Sequence, residues 1–211
     1  MSLRPDLAII VRWIKPKSRV LDLGCGDGTL LRFLKEHRSI TGYGLEIDPD
    51  NVAKAIKAGV NVIQVDLDKE GLQEYESNSF DYVIMTQALQ AVHYPDHLLA
   101  DMLRVGREGI VTFPNIGHWR CRLQLSLTGR MPISSFLPEQ WYDTPNIHLC
   151  TVRDFEDLCR MRGYQILHRR VVDKYHRSNR LMQLAPNLMG EIALYSLRNR
   201  TSLPIKREPP A

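Results

Sequence analysis

Asp22, Gly24, Gly26, Asp27 and Gly28 are the residues of this 211-residue chain whose types and spacing point most directly to chemistry. Glycines spaced by single residues let a ligand reach backbone amides, because no Cβ blocks the approach and unusual backbone angles cost little. A dinucleotide-binding turn would carry its third glycine at position 29, where this chain has Thr29. The two carboxylates repel a phosphate and attract an ammonium or a sulfonium. Glu46 lies 22 positions beyond Gly24, the spacing at which doubly wound folds place an acid that accepts hydrogen bonds from both ribose hydroxyls.

The elements around these residues follow from pattern. Arg19–Gly28 reads as a short buried strand running straight into the glycine turn. Thr29–Lys35, apolar at 30, 31, 33 and 34, reads as a helix whose N-terminus presents free amides. Ile40–Asp48 supplies a second strand, and Pro49–Asp50 opens a helix through Ala53, Ala55 and Ala58 that Gly59 ends. Further strands are predicted at Asn61–Asp66, Phe80–Thr86 and Gly109–Pro114, with a helix from Pro95 to about Arg107 between the last two. Leu89, Val92 and Leu98 are assigned to the core. Thr151 with Asp154 forms a capping-box variant starting a helix that Gly163 stops, and strands at Tyr164–Val172 and Glu191–Leu197 complete the sheet.

The acid and glycine pattern after a hydrophobic strand resembles the first motif of the class I S-adenosylmethionine-dependent methyltransferases, and the resemblance covers most of residues 19–114. It implies an α/β, Rossmann-like fold: a seven-stranded, mostly parallel sheet with helices on both faces and an antiparallel last strand. It also implies S-adenosylmethionine as cofactor, with S-adenosylhomocysteine as its demethylated product. The positions carried over are Asp22, Gly24, Cys25, Gly26, Asp27, Gly28, Glu46, Ile47, Asp66, Leu67 and Gln87. In that family Asp66 and Leu67 lie against the adenine, with Asp66 accepting from its exocyclic amine, and Gln87 meets the cofactor at a strand end.

Length and composition predict one domain over residues 1–200 and a disordered, proline-bearing tail over 201–211. No apolar run spans a membrane and no signal-peptide pattern appears, so a cytoplasmic protein is expected. The cysteines at 25, 121, 150 and 159 lack paired spacing, which favours reduced thiols over a disulfide or metal site. Charge is uneven: residues 1–100 carry 11 basic and 14 acidic side chains, residues 101–211 carry 17 and 10. The densest basic run, His168–Arg180, holds Tyr175 among cations. A solvated surface is its plainest reading, a partner-binding surface the next. An RNA ligand is disfavoured, because the excess charge is modest and no RNA-binding module is added.

Residues 115–150 cover the carboxyl ends of the strands, where specificity should lie. The segment opens with Asn115–Leu125, read as polar and aromatic groups passing into a short amphipathic helix, and ends with Trp141–His148. Together with the glycine turn, Phe113–Trp119 and Asp143–His148 closely resemble the bacterial methionine biosynthesis protein W family, MetW, over nearly the whole chain. That resemblance implies action beside a homoserine O-acyltransferase, which makes O-acetyl- or O-succinylhomoserine, and supplies no methyl acceptor. Candidate general bases are His93, His118, Tyr142 and His148, each lone histidine being more simply structural. Asn115 and Asn146 are assigned to satisfying loop backbone. Two functions follow: a regulatory subunit that binds the cofactor and activates the acyltransferase, or a methyltransferase on a small carboxylate, held near Arg120, Arg122 and Arg130.

Overall fold

A computed structural model describes residues 4–134 and 137–200; the tail expected to be disordered lies outside them. Seven strands form one sheet: β1 Arg19–Leu23, β2 Thr41–Glu46, β3 Val62–Gln64, β4 Phe80–Thr86, β5 Gly106–Pro114, β6 Tyr164–Val172 and β7 Ile192–Asn199. Their order is β3-β2-β1-β4-β5-β7-β6. The first five run parallel, and β7 lies antiparallel between β5 and β6. The fold is therefore the one the methyltransferase resemblance implies. Chain direction reverses its outward growth between β1 and β4, the crevice where such sheets bind ligands.

Alternation along the strands separates two cores. Leu21, Leu23, Val83, Met85, Val111 and Phe113 pack against helices α4 (Pro95–Val105) and α6 (Val152–Met161). Val20, Tyr82, Ile84, Ile110 and Leu194 share a core with α1 (Pro5–Trp13), α2 (Thr29–Arg38) and α3 (Pro49–Lys57). Both sheet faces being covered explains why consecutive residues are apolar in β1, at Val20 and Leu21, and in β4, from Tyr82 to Met85. Leu89, Val92 and Leu98 are buried as expected. The capping box is present too: Thr151 accepts from the Asp154 amide at 3.2 Å, and Asp154 accepts from the Thr151 amide at 2.9 Å. Among the described residues no helix is long and apolar enough to cross a membrane.

Strand β5 begins at Gly106 rather than Gly109, directly where α4 ends at Val105, and two further elements differ from expectation. Strand β3 ends at Gln64, short of Asp66, because it is the sheet edge and pairs with β2 alone. Helix α5 (Trp119–Thr128) forms, but it is not amphipathic against the core: Cys121 is its buried residue, while Leu123, Leu125 and Leu127 are exposed. Leucines spaced by two spread around a helix rather than along one face.

Candidate cofactor site at the carboxyl edge of the sheet

The turn after β1 is held by its neighbour strand. The amides of Gly24 and Cys25 donate to the Leu45 carbonyl at 2.8 and 3.1 Å, and Gly24, Gly26 and Gly28 all have positive φ. At Gly28 a side chain would also press on Val60 and Ala55, at 3.0–3.2 Å. Asp27 accepts from the Thr29 amide at 3.0 Å, anchoring the start of α2, and hydrogen bonding from Thr29, its side chain first, holds the Asp27 carboxyl below the usual range. The Cys25 side chain points into the core, where a Cβ on Gly44 would strike its sulfur. Burial, then Asp22 and Glu46, push its thiol up to about 12, so Cys25 offers a ligand its backbone rather than a reactive sulfur.

Glu46 is the pivot of the site. Its Oε2 accepts from the Gly26 amide at 2.8 Å, and its Oε1 accepts from the amides of Ile47 and Asp48, both at 2.9 Å. A carboxylate offers about four acceptor positions, so three are committed to shaping the loop and one is left for a ligand hydroxyl. Beside it Ile47 presents an apolar surface, 57% exposed. Asp66 accepts from the Asp68 amide at 3.1 Å and pairs with Lys69 at 3.0 Å, while Leu67 packs against the core. Gln87 stands in the left-handed region at φ 53°, its amide donating to the carbonyl and hydroxyl of Thr112, each at 2.9 Å. Such strain in a non-glycine residue clusters at ligand clamps.

Asp22 is buried with its Oδ1 unpartnered. Burial, reinforced by Glu46, raises its pKa from 3.8 to about 8. Between those values the folded chain holds a proton that the unfolded chain has lost, so stability is full below about pH 4, falls as pH rises and levels off above about pH 8. Replacing Asp22 by asparagine removes this loss. The melting temperature of Asp22→Asn relative to wild type should therefore climb by at least about 2 °C from pH 5 to pH 8.5. A flat difference between the two pH values would show Asp22 ionised in the fold.

The candidate bases part company. His93 lies at the rim with its amide and ring Nδ1 both on Asp68, at 2.8 Å each. His148 joins it, its Nε2 contacting the His93 carbonyl at 3.1 Å and its amide donating to the Gln90 carbonyl at 2.9 Å. Asp68 and Gln90 were not legible as partners, because both pairings cross loops far apart in the chain. Tyr142 is 71% exposed, edge-on to Trp141. His118 is buried as the N-cap of α5, its Nδ1 accepting from the Arg120 amide at 3.4 Å. Burial and then Arg120 lower its pKa, which favours the neutral ring, and its Nδ1 is already engaged as the cap. Its Nε2 lies 3.9 Å from Oε1 of Glu191, whose carboxyl burial pushes up.

Asn115 does satisfy backbone. Its side chain donates to the carbonyls of Gly190 and Asn187, at 2.7 and 3.2 Å, and accepts from the amides of Gly117 and Val152, at 3.0 and 3.1 Å. Asn146 bonds locally to Thr144.

The family model described as "Methionine biosynthesis protein MetW" matches residues 4–197. The chain belongs to the MetW family. A bifunctional methionine biosynthesis protein MetXA/MetW from Rhodopirellula baltica is 35% identical over 167 residues, 75% of this chain and 27% of that protein. A ubiquinone biosynthesis O-methyltransferase from Hahella chejuensis is 29% identical, over 70% of this chain and 66% of that one. The chain thus spans about a quarter of the first relative and about two thirds of the second. Among solved structures, a SAM-dependent methyltransferase from Archaeoglobus fulgidus superposes with a TM-score of 0.68 at 15% identity, covering 93% of this chain and 92% of that one. A Haloferax volcanii putative methyltransferase in complex with the Trm112 activator gives 0.63 at 15% identity, over 92% and 89%. This MetW-family chain carries a methyltransferase fold and belongs to methionine biosynthesis.

Proposed function

We propose that this MetW chain binds S-adenosylmethionine at the glycine turn and activates a homoserine O-acyltransferase. The observation that supports a partner is the bifunctional relative, which is named for both MetXA and MetW while this chain matches 27% of it, leaving room for a second unit. The cofactor fits the residues present. Gly24–Gly28 form a turn with open space at Gly26, where nothing lies within 4 Å of a Cβ position, and Asp22, two residues before Gly24, keeps an unpartnered oxygen whose charged form a sulfonium or ammonium would favour. Glu46 has one acceptor position for a ribose hydroxyl, Ile47 and Leu67 offer apolar surface to the adenine with Asp66 next to them, and Gln87 closes the edge. Ligand binding here stabilises the loops after β1, β2 and β4, and a partner that prefers the ordered loops is thereby coupled to cofactor supply.

The contact we assign to the partner is α5 with residues 129–134 and 137–149: Leu123, Leu125 and Leu127 are exposed on α5, and the exposed Met131, Ile133, Trp141 and Ile147 line a cleft of about 960 Å³. Exposed apolar groups gathered along such a cleft mark interaction sites. Adding the protein to purified homoserine acyltransferase should raise its activity several-fold, and the double variant Leu123→Glu, Leu127→Glu should abolish that rise while still binding S-adenosylhomocysteine. Acyltransferase activity indifferent to the wild-type protein would end the activator reading.

Methyl transfer is the second reading, favoured by His93, whose ring is oriented by Asp68 as bases commonly are. S-adenosylmethionine supplies an electrophilic methyl group, and the chain would orient the acceptor and exclude water. Release of S-adenosylhomocysteine that His93→Ala abolishes would establish it.

A further inference from the structure

Two cavities, about 250 and 220 Å³, share one wall made of His118, Arg120, Lys174 and Glu191. They open at the carboxyl edge, since Pro114 of β5 and Val172 of β6 both pair with Ile192 at the start of β7. With strands about 4.8 Å apart, β7 stands about 14 Å from the glycine-turn strand β1. The shared wall is a feature separate from the cofactor cradle.

Its charges are arranged in an unusual way. Glu191 is 93% buried from solvent, by its 7% exposure, yet its Oε2 has no hydrogen-bond partner. Buried polar atoms of this kind are rare and call for a ligand or another cause. The neighbouring imidazole does not neutralise it: His118 is neutral and stands 3.9 Å away, facing the other oxygen. Exposed Arg120 and Lys174 bring two cations to the same wall, and each lies over an aromatic ring, Arg120 at 5.3 Å from Trp119 and Lys174 at 5.0 Å from Tyr175.

Each simple ligand meets an obstacle here. A bare anion such as phosphate is welcomed by Arg120 and Lys174 but set against Glu191. A bare cation satisfies Glu191 but is repelled by the two basic side chains. A molecule carrying both charges a few ångströms apart meets neither objection. We propose that this wall binds a small zwitterionic α-amino acid, its ammonium on Glu191 Oε2 and its carboxylate on Arg120 and Lys174. The modest cavity volumes admit a short side chain, and Trp119 and Tyr175 provide its apolar boundary. His118 acts as a positioning residue, holding the start of α5, and so Arg120, against β7. This site also accounts for Tyr175 and its cationic neighbours within the basic run, which cofactor binding leaves without a role.

The test is calorimetric titration of the full chain with L-homoserine and L-methionine, alongside acetate and methylamine as probes of each charge alone. The amino acids should bind at least about tenfold more tightly than either single-charge probe. Glu191→Gln keeps the shape and should weaken amino-acid binding at least about tenfold. Arg120→Ala, an exposed substitution that leaves the fold alone, should do likewise. Titration with S-adenosylhomocysteine should be unchanged in both variants, which separates this site from the cofactor site. The proposal is overturned if acetate binds as well as the amino acids, if no amino acid binds by about 10 mM, or if both variants bind like wild type.

Discussion

Glu46→Gln should lower both the stability of the chain and its affinity for S-adenosylhomocysteine. The Glu46 carboxylate accepts from three amides, Gly26 on one oxygen and Ile47 and Asp48 on the other. Glutamine offers one carbonyl oxygen and one NH₂. Whichever way the amide is turned, a donor then faces either the Gly26 N–H or the pair at 47 and 48. Hydrogen bonds to a charged group are worth about 1.5–3 kcal/mol each, and an orphaned buried donor costs a similar amount, so a loss of about 2–4 kcal/mol is expected. Part of it appears as cofactor affinity, because the same bond from Gly26 fixes the turn the ligand must find ready-made. Urea unfolding and calorimetric titration measure the two losses separately. An unfolding midpoint equal to wild type would show that the turn holds its shape without the carboxylate.

Asn115→Ala should be the more damaging change to stability alone. This side chain is fully buried and makes four hydrogen bonds, to Gly117, Val152, Asn187 and Gly190. It thereby ties the end of β5 to the start of α6 and to the approach to β7. Alanine leaves two amides and two carbonyls without partners in a buried place, and about 3–4 kcal/mol of stability should go with them. Asn115→Asp should not rescue it, because a carboxylate keeps the two accepted bonds but sets its charge against two carbonyl oxygens. Denaturant unfolding decides the matter: a loss below about 1 kcal/mol for alanine would mean that water replaces the side chain at little cost.

The glycine turn was legible because its requirements are local. Positive φ at Gly24, Gly26 and Gly28 needs residues without Cβ, and Asp27 anchors an amide only two residues away. The strands β4 and β6 were placed to the residue, since burial on both faces or a clear turn signal marks their ends. Helix α1 went unplaced although Pro5 at its first turn and Leu7, Ile10, Val11 and Ile14 at helical spacing mark it. The roles of Glu46 and His118 were harder to see. A carboxylate aimed at a ribose and one aimed at its own loop have the same sequence, and a histidine beside a helix start can be base or cap.

The sequence by itself determined the order of strand, turn and helix, the acids flanking the glycines, the capping box at Thr151 and the two-sided burial of the sheet. Each follows from periodicity or from a backbone angle only certain residues accept. Tertiary structure alone decided that Glu46 spends three acceptor positions on the loop, that Asp68 orients His93, that the leucines of α5 stay uncovered and that Glu191 meets His118, Arg120 and Lys174. Those outcomes depend on which distant segments the sheet order β3-β2-β1-β4-β5-β7-β6 brings side by side. Pairing of that range is fixed by the packing of the whole chain, which no local window of residues contains.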